Sequence, residues 1–437
     1  MTSLSTFCRL SWSSILFALV MILVEIFPVE AGTVSGQIRY MDKLYDFSDQ
    51  GSGYLGQAPK AARYIDIELR RSEDHALLGA GSTDQQGHYS INIPASGTDQ
   101  IDLYMIAYSS TSPWTEILVR NNLSQRLVQS VVAGPYEVDT GSDSQLDYLV
   151  PTDDGRVRLG GMFNIIDCVL TAAEMVSSVL GDRVPPCVVY WEDGSRVGTS
   201  YTPDSNSFYI LGGEPRSPNS GDDDSYDDTV IIHEYGHYMA SRFSLDRSPG
   251  GSHSLRRYYE PTLAWSEGWA AAFQCFARNS AIHWDATDGD SRGFNVDYET
   301  GRINRQPTPS AFGMNNEVAV TCVLYDLFDD PWSHDDDTPG IDDERYWYGV
   351  EPIWQVFQHD FVPGVMATLD DFYRGWITRF PHLPVNHVFA RWKMEFVPLH
   401  FREFVFSRHD LGYSVDGRQE KSVLDTIEVP SQYGGSI

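Results

Sequence analysis

Residues 227–243 read DDTVIIHEYGHYMASRF, with two histidines four apart and a glutamate directly after the first. On an α-helix, residues i and i+4 stand one above the other on the same face. His233 and His237 can therefore both aim an imidazole nitrogen at one metal ion. Glu234 is rotated away from that face and cannot join them as a ligand, but it reaches a water held there, where a general base is needed. Ile231, Met239 and Phe243 give the same helix an apolar side that must be partly buried. A metal centre here needs a third protein ligand from elsewhere in the chain. Without it, the two histidines are only the polar face of a surface helix.

The pattern H-E-x-x-H-x-x-G-x-x-H is excluded, because positions 240 and 243 are Ala and Phe. Some thirty residues further on, residues 260–278 read EPTLAWSEGWAAAFQCFAR. Trp265, Trp269, Phe273 and Phe276 recur at helical spacing and form an aromatic stripe, which belongs to a core. Glu267 lies off that stripe, on the side of Ala270, Ala271 and Gln274. Small neighbours let a second helix approach closely, so this carboxylate can reach the metal of His233 and His237. Two histidines and a glutamate are the ligand set of a catalytic Zn2+ with an open fourth position.

HEYGH followed by S-E-G-W-A resembles the gluzincin metallopeptidases, and most of all the fungalysin-like enzymes with their H-E-Y-x-H and G-E-G-W signatures. Residues 316–330, NEVAVTCVLYDLFDD, resemble the E-V-W-A-x-x-L-W-D helix that follows in those enzymes. The likeness spans about residues 160–330. It implies zinc ligation by His233, His237 and Glu267, with Glu234 as catalytic base. It also implies a twisted mixed sheet, an active-site helix beneath it and a helical lower lobe. Two positions depart from the family. Ala271 stands where an aspartate commonly supports a ligand histidine, leaving Glu317 and the acidic run before the helix as candidates for that role. No histidine precedes the 316–330 helix, where Phe312, Gly313, Met314 and Asn315 stand. His253 is the first candidate to steady the developing oxyanion, ahead of Tyr258, Tyr259 and Tyr325, while a loop histidine capping a turn is its structural alternative.

The fold class expected is α+β. Residues 34–40, 65–69 and 89–93 alternate apolar and polar with turn residues between them, as in an antiparallel β-sandwich. Residues 82–94, STDQQGHYSINIP, resemble the carboxypeptidase regulatory-like, transthyretin-like sandwich. Strand-like segments at 101–107 and 115–119 extend this unit, which is assigned to residues 32–149 and expected to fold separately. A catalytic domain at 150–345 follows, with a helix over 163–180 and strands at 187–190 and 208–211. A helical C-terminal lobe is expected at 346–437. The acidic run at 222–228 reads as a solvated cap on the HEYGH helix, with a Ca2+ site as the alternative.

A net charge of -30 over 437 residues speaks against nucleic acid as a partner. Residues 1–31 read as an export signal, with Arg9 ahead of an apolar run and small residues near Ala31. No later segment reads as long and apolar enough to be a transmembrane helix. Beyond Cys8, Cys168, Cys187, Cys275 and Cys322 remain, to be read as one or two disulfides or as buried thiols. The expected function is that of a secreted zinc-dependent endopeptidase acting on protein or peptide substrates. An exopeptidase of the same clan and a non-catalytic surface-binding protein are the alternatives. Oligomeric state is not legible.

Overall fold

A computed structural model of the chain describes residues 31–46, 53–121, 127–155, 157–203, 206–213, 222–245, 250–287, 292–307, 312–329, 347–361 and 367–394. The export signal expected over residues 1–31 lies outside them apart from its last residue, as does the expected C-terminal lobe beyond residue 394.

The first ten strands are β1 (Ala31–Asp46), β2 (Gly53–Ala61), β3 (Asp66–Arg71), β4 (Leu77–Ser82), β5 (His88–Pro94), β6 (Thr98–Ile106), β7 (Ile117–Arg120), β8 (Ser130–Asp139), β9 (Ser144–Gln145) and β10 (Tyr148–Val150). One sheet is organised on the long β1, whose first half pairs antiparallel with β5 and whose second half pairs with β2. β9 and β10 lie parallel to it. The other sheet runs β4-β3-β6-β8 and is antiparallel throughout. Period-two alternation sends Tyr89, Ile91 and Ile93 of β5 and Ile101, Leu103 and Met105 of β6 inward. Each such side chain taken fully out of water contributes about 1.5–3 kcal/mol.

β7 does not belong to either of these sheets. It pairs in parallel with β11 (Cys187–Tyr190), which pairs in turn with β13 (Ser207–Tyr209), and β12 (Ser200–Thr202) closes the sheet antiparallel. The division expected at residue 149 therefore cuts through a sheet, with β7 on one side and its partner on the other. Ile117 and Val119 are fully buried, and helix α1 (Gly161–Leu180) packs against their strand. By length and composition α1 is apolar enough to cross a membrane, which corrects the reading that no such segment follows the N-terminus. Phe163, Ile165, Ile166, Val169 and Leu170 on it are nonetheless buried inside the protein.

Side chains of β1, β2 and the turn after β2 reach α1 and Asp228 through polar contacts. Tyr40 Oη donates to Asn164 Oδ1 at 3.2 Å, and Asn164 Nδ2 donates to Asp228 Oδ1 at 2.9 Å. Lys60 Nζ stands 2.9 Å from Asp42 Oδ2 and 3.8 Å from Asp228 Oδ2. The Arg63 guanidinium binds the Asp167 carboxylate and donates to its backbone carbonyl at 2.9 Å.

Helices α2 (Asp228–Phe243) and α3 (Pro261–Arg278) follow, then a small sheet of β14 (Ile282–Thr287), β15 (Arg292–Asp297), β16 (Arg302–Ile303) and β17 (Gln306–Pro307). Helices α4 (Glu317–Phe328), α5 (Val350–His359), α6 (Leu369–Arg379) and α7 (Asn386–Arg391) complete the described chain. The aromatic stripe of α3 is core: Trp269 stacks on Phe357 with centroids 3.5 Å apart, and Trp265 meets Phe361 edge-on at 5.4 Å. Cys168, Cys187, Cys275 and Cys322 are all buried free thiols, so the disulfide reading is not realised among them.

Candidate metal centre and active site

Two glycines set the spacing of the helices that carry the site. A β-carbon on Gly236 would stand 3.0 Å from the Ala270 Cα, and one on Gly268 would stand 2.6 Å from the Val320 Cβ. α2 thus meets α3, and α3 meets α4, almost backbone to backbone. Trp269 Nε1 donates to the Gly236 carbonyl at 3.3 Å across the first contact. This proximity brings the α3 carboxylate to the α2 histidines. His233 Nε2 and His237 Nε2 each lie 3.3 Å from Glu267 Oε2. One ligand atom from each of the three residues falls within 4.8 Å of the others. The imidazole rings meet edge to face with centroids 4.9 Å apart.

His253 completes the ring of side chains from the loop before α3. Its Nε2 is 3.5 Å from Glu267 Oε2, and its Nδ1 is 2.7 Å from Glu317 Oε2 at the start of α4. The Glu317 hydrogen bond, reinforced by the Glu267 charge, raises the His253 pKa to about 9 against the opposing pull of burial. Burial pushes the Glu267 carboxyl up, but His237 and His233 together outweigh it and hold the group well below the usual carboxylate range. Glu234 is on the same helix and buried.

Glu317 bonds His253, so the support role considered for it at a ligand histidine is not the contact it makes. His233 Nδ1 is buried without a hydrogen-bond partner. Of the tyrosines weighed beside His253, Tyr258 is exposed and Tyr325 is buried against Phe328. Tyr259 is held through its backbone N–H on the Asn315 carbonyl at 2.7 Å.

The acidic run is not a solvated cap. Asp223, Asp224 and Asp227 are all buried, and the Asp227 side chain makes no capping bond to α2. Its backbone carbonyl instead accepts from the N–H groups of Val230 and Ile231. Sequence reasoning missed two neighbours from β14. His283 packs its ring 6.3 Å from that of His233, and Asp285 joins the acidic run. Burial, with the nearby His233 and Arg278, drives the His283 pKa down to about 3, so its imidazole is neutral.

Residues 181–346 match the Mycolysin C-terminal domain family. That stretch carries α2, α3 and α4 with all of the residues just described, and the match points to a peptidase-like protein of mixed α+β structure. No curated protein matches the chain. Among solved structures, a 9R-lipoxygenase from Cyanothece PCC8801 aligns with 16% identity over 35% of this chain and 24% of its own length. Its TM-score of 0.17 is too low for the likeness to bear on fold or function.

Proposed function

We propose that the protein is a secreted zinc-dependent endopeptidase. The observation that carries this reading is the convergence of His233 Nε2 and His237 Nε2 on Glu267 Oε2, each at 3.3 Å. Two imidazole nitrogens and one carboxylate oxygen within 4.8 Å of one another fit zinc as a donor set. When bound, zinc supplies Lewis-acid activation of water and of the scissile carbonyl.

The chain's own residues do the remaining work. Glu234, one position past His233 on the helix, accepts the proton of the attacking water and returns it to the leaving amine. His253 donates a hydrogen bond to the carbonyl oxygen as negative charge gathers there, and Glu317 holds its ring in place through Nδ1. The likeness of residues 181–346 to the mycolysin C-terminal domain supports the same class.

The test is a contrast between metal content and rate. Glu234→Gln should retain one zinc per chain while peptide cleavage falls by orders of magnitude. Glu267→Ala should lose zinc, and Glu260→Ala should change neither. Tight zinc binding by the Glu267→Ala protein would remove the ligand assignment.

A further inference from the structure

Above the N-terminus of α2, four aspartates from two parts of the chain meet. One oxygen each from Asp222, Asp224 and Asp285 lies within 4.8 Å of the others. Two oxygens on opposite sides of one calcium ion are about 4.6–5.2 Å apart, since each bond is about 2.3–2.6 Å. Asp227, which is fully buried, sets its carboxylate beside that of Asp285.

Closeness of acidic groups is common and shows little alone. The second observation is that Asp222 Oδ1, Asp224 Oδ1, Asp227 Oδ1 and Asp285 Oδ1 are each buried without a hydrogen-bond partner. Asp224 is only 6% exposed and Asp227 0%. The other Asp224 oxygen accepts from the Thr199 hydroxyl, and the other Asp227 oxygen accepts from the Ala286 N–H at 2.8 Å. Asp224 and Asp227 are therefore each anchored by one oxygen, while the other is buried and unpaired. Among the described residues, no lysine, arginine or histidine forms an ion pair with any of the four. The nearby Arg158 is spent on Asp193 and Asp223, at 2.6 and 3.0 Å.

A buried carboxylate left without a partner is costly, and several together repel one another. Either protons or a cation must relieve them. We propose that Asp222, Asp224 and Asp285 hold a calcium ion beside the buried Asp227, an ion that ties the N-terminus of α2 to β14. The donors are all oxygen, with no imidazole or thiol among them, which selects a hard cation over zinc. Burial and mutual repulsion raise the pKa of Asp285 to about 7, the condition a divalent charge would reverse. The tie has mechanical meaning for the site. Asp227 immediately precedes α2, six residues before His233, and Asp285 lies two residues beyond His283, whose ring packs beside that of His233.

The experiment uses the full chain, depleted of calcium and supplied with one equivalent of zinc. Terbium luminescence excited through tryptophan should report one site per chain, since Trp284 neighbours Asp285, and calcium should displace the probe. A calcium affinity of about 10⁻⁶–10⁻³ M is expected, with a rise in Tm of about 5 °C at saturation. Asp285→Asn and Asp224→Asn should each weaken calcium binding at least tenfold, whereas Glu267→Gln should leave it unchanged while weakening zinc. That control separates this site from the zinc reading. Asp285→Asn removes a charge that has no cationic partner, so it should fold even if Asp224→Asn does not. Should calcium leave both Tm and terbium signal unmoved, with Asp285→Asn simply stabilising the chain, the aspartates hold protons and the proposal fails.

Discussion

A β-carbon placed on Gly236 would stand 3.0 Å from the Ala270 Cα, so α2 and α3 meet there almost backbone to backbone. Ala270 lies one turn beyond Glu267, and Gly236 directly precedes His237. The separation of these two backbones therefore sets the distance between ligands. Gly236→Ala gains about 1 kcal/mol in helix propensity, but overpacking costs about 1–3 kcal/mol. We expect a net loss of stability together with at least tenfold weaker zinc binding, read by denaturant unfolding and metal titration. Unaltered zinc affinity in a destabilised protein would show that helix spacing does not govern the ligands.

Glu317 and His253 should act as a unit. Glu317→Gln keeps the side-chain volume but removes the charge at 2.7 Å from Nδ1. It should lower kcat by about 10–100-fold with zinc content unchanged, and His253→Ala by about 100–1,000-fold. The double variant should be no worse than His253→Ala alone, because the carboxylate acts only through the ring. Additive losses in a double-mutant cycle would assign Glu317 a separate role.

Truncation should be poorly tolerated. A chain beginning at Asp147 loses β7, which exposes the edge of β11, and loses the Lys60 and Tyr40 contacts to α1 and α2. Edges of this kind promote aggregation. Such a protein is expected to be insoluble or to melt well below the longer chain by circular dichroism. A soluble, zinc-binding product with an unchanged Tm would mean that β7 is dispensable.

Acid should stabilise the seam around Asp42. Burial and the Asp228 carboxylate push its pKa from 3.8 to about 6, with Lys60 opposing. Between these values the folded chain keeps a proton that the unfolded chain has lost. This group's contribution is thus complete below about pH 4 and is lost as pH rises through about 6, a change of up to about 3 kcal/mol. Unfolding free energies measured from pH 4 to 7 should fall less steeply in Asp42→Asn than in the wild type. Parallel curves for the two proteins would contradict this assignment.

What the sequence disclosed was local. His233 and His237 share a face because helix geometry alone puts them there, and the alanines beside Glu267 advertise a close neighbour. Other features depend on distant partners. The four residues of β7 alternate as they would in either sheet, so only pairing with β11 tells which one they join. Asp224 and Asp227 carry charges that read as solvated until the fold closes over them, and their counterpart Asp285 comes from a strand beyond α3. The bond between His253 and Glu317 spans 64 residues, and no short-range pattern encodes it.

The four sealed sulfurs have a use of their own. Burial pushes the thiols of Cys187 and Cys275 far up from their ordinary range, and those of Cys168 and Cys322 likewise. Thiolate is the reactive form, so an alkylating reagent meets an inert molecule until the surrounding structure opens. Cys168 sits on α1, Cys187 in the β7–β11 sheet, and Cys275 and Cys322 on the adjoining helices α3 and α4. Labelling followed by peptide mapping would time the opening of each region separately, turning the cysteines into four built-in clocks. Matching rates at all four would describe a chain that comes apart in one motion, while a faster tick at Cys187 would mark the shared sheet as the first place to give way.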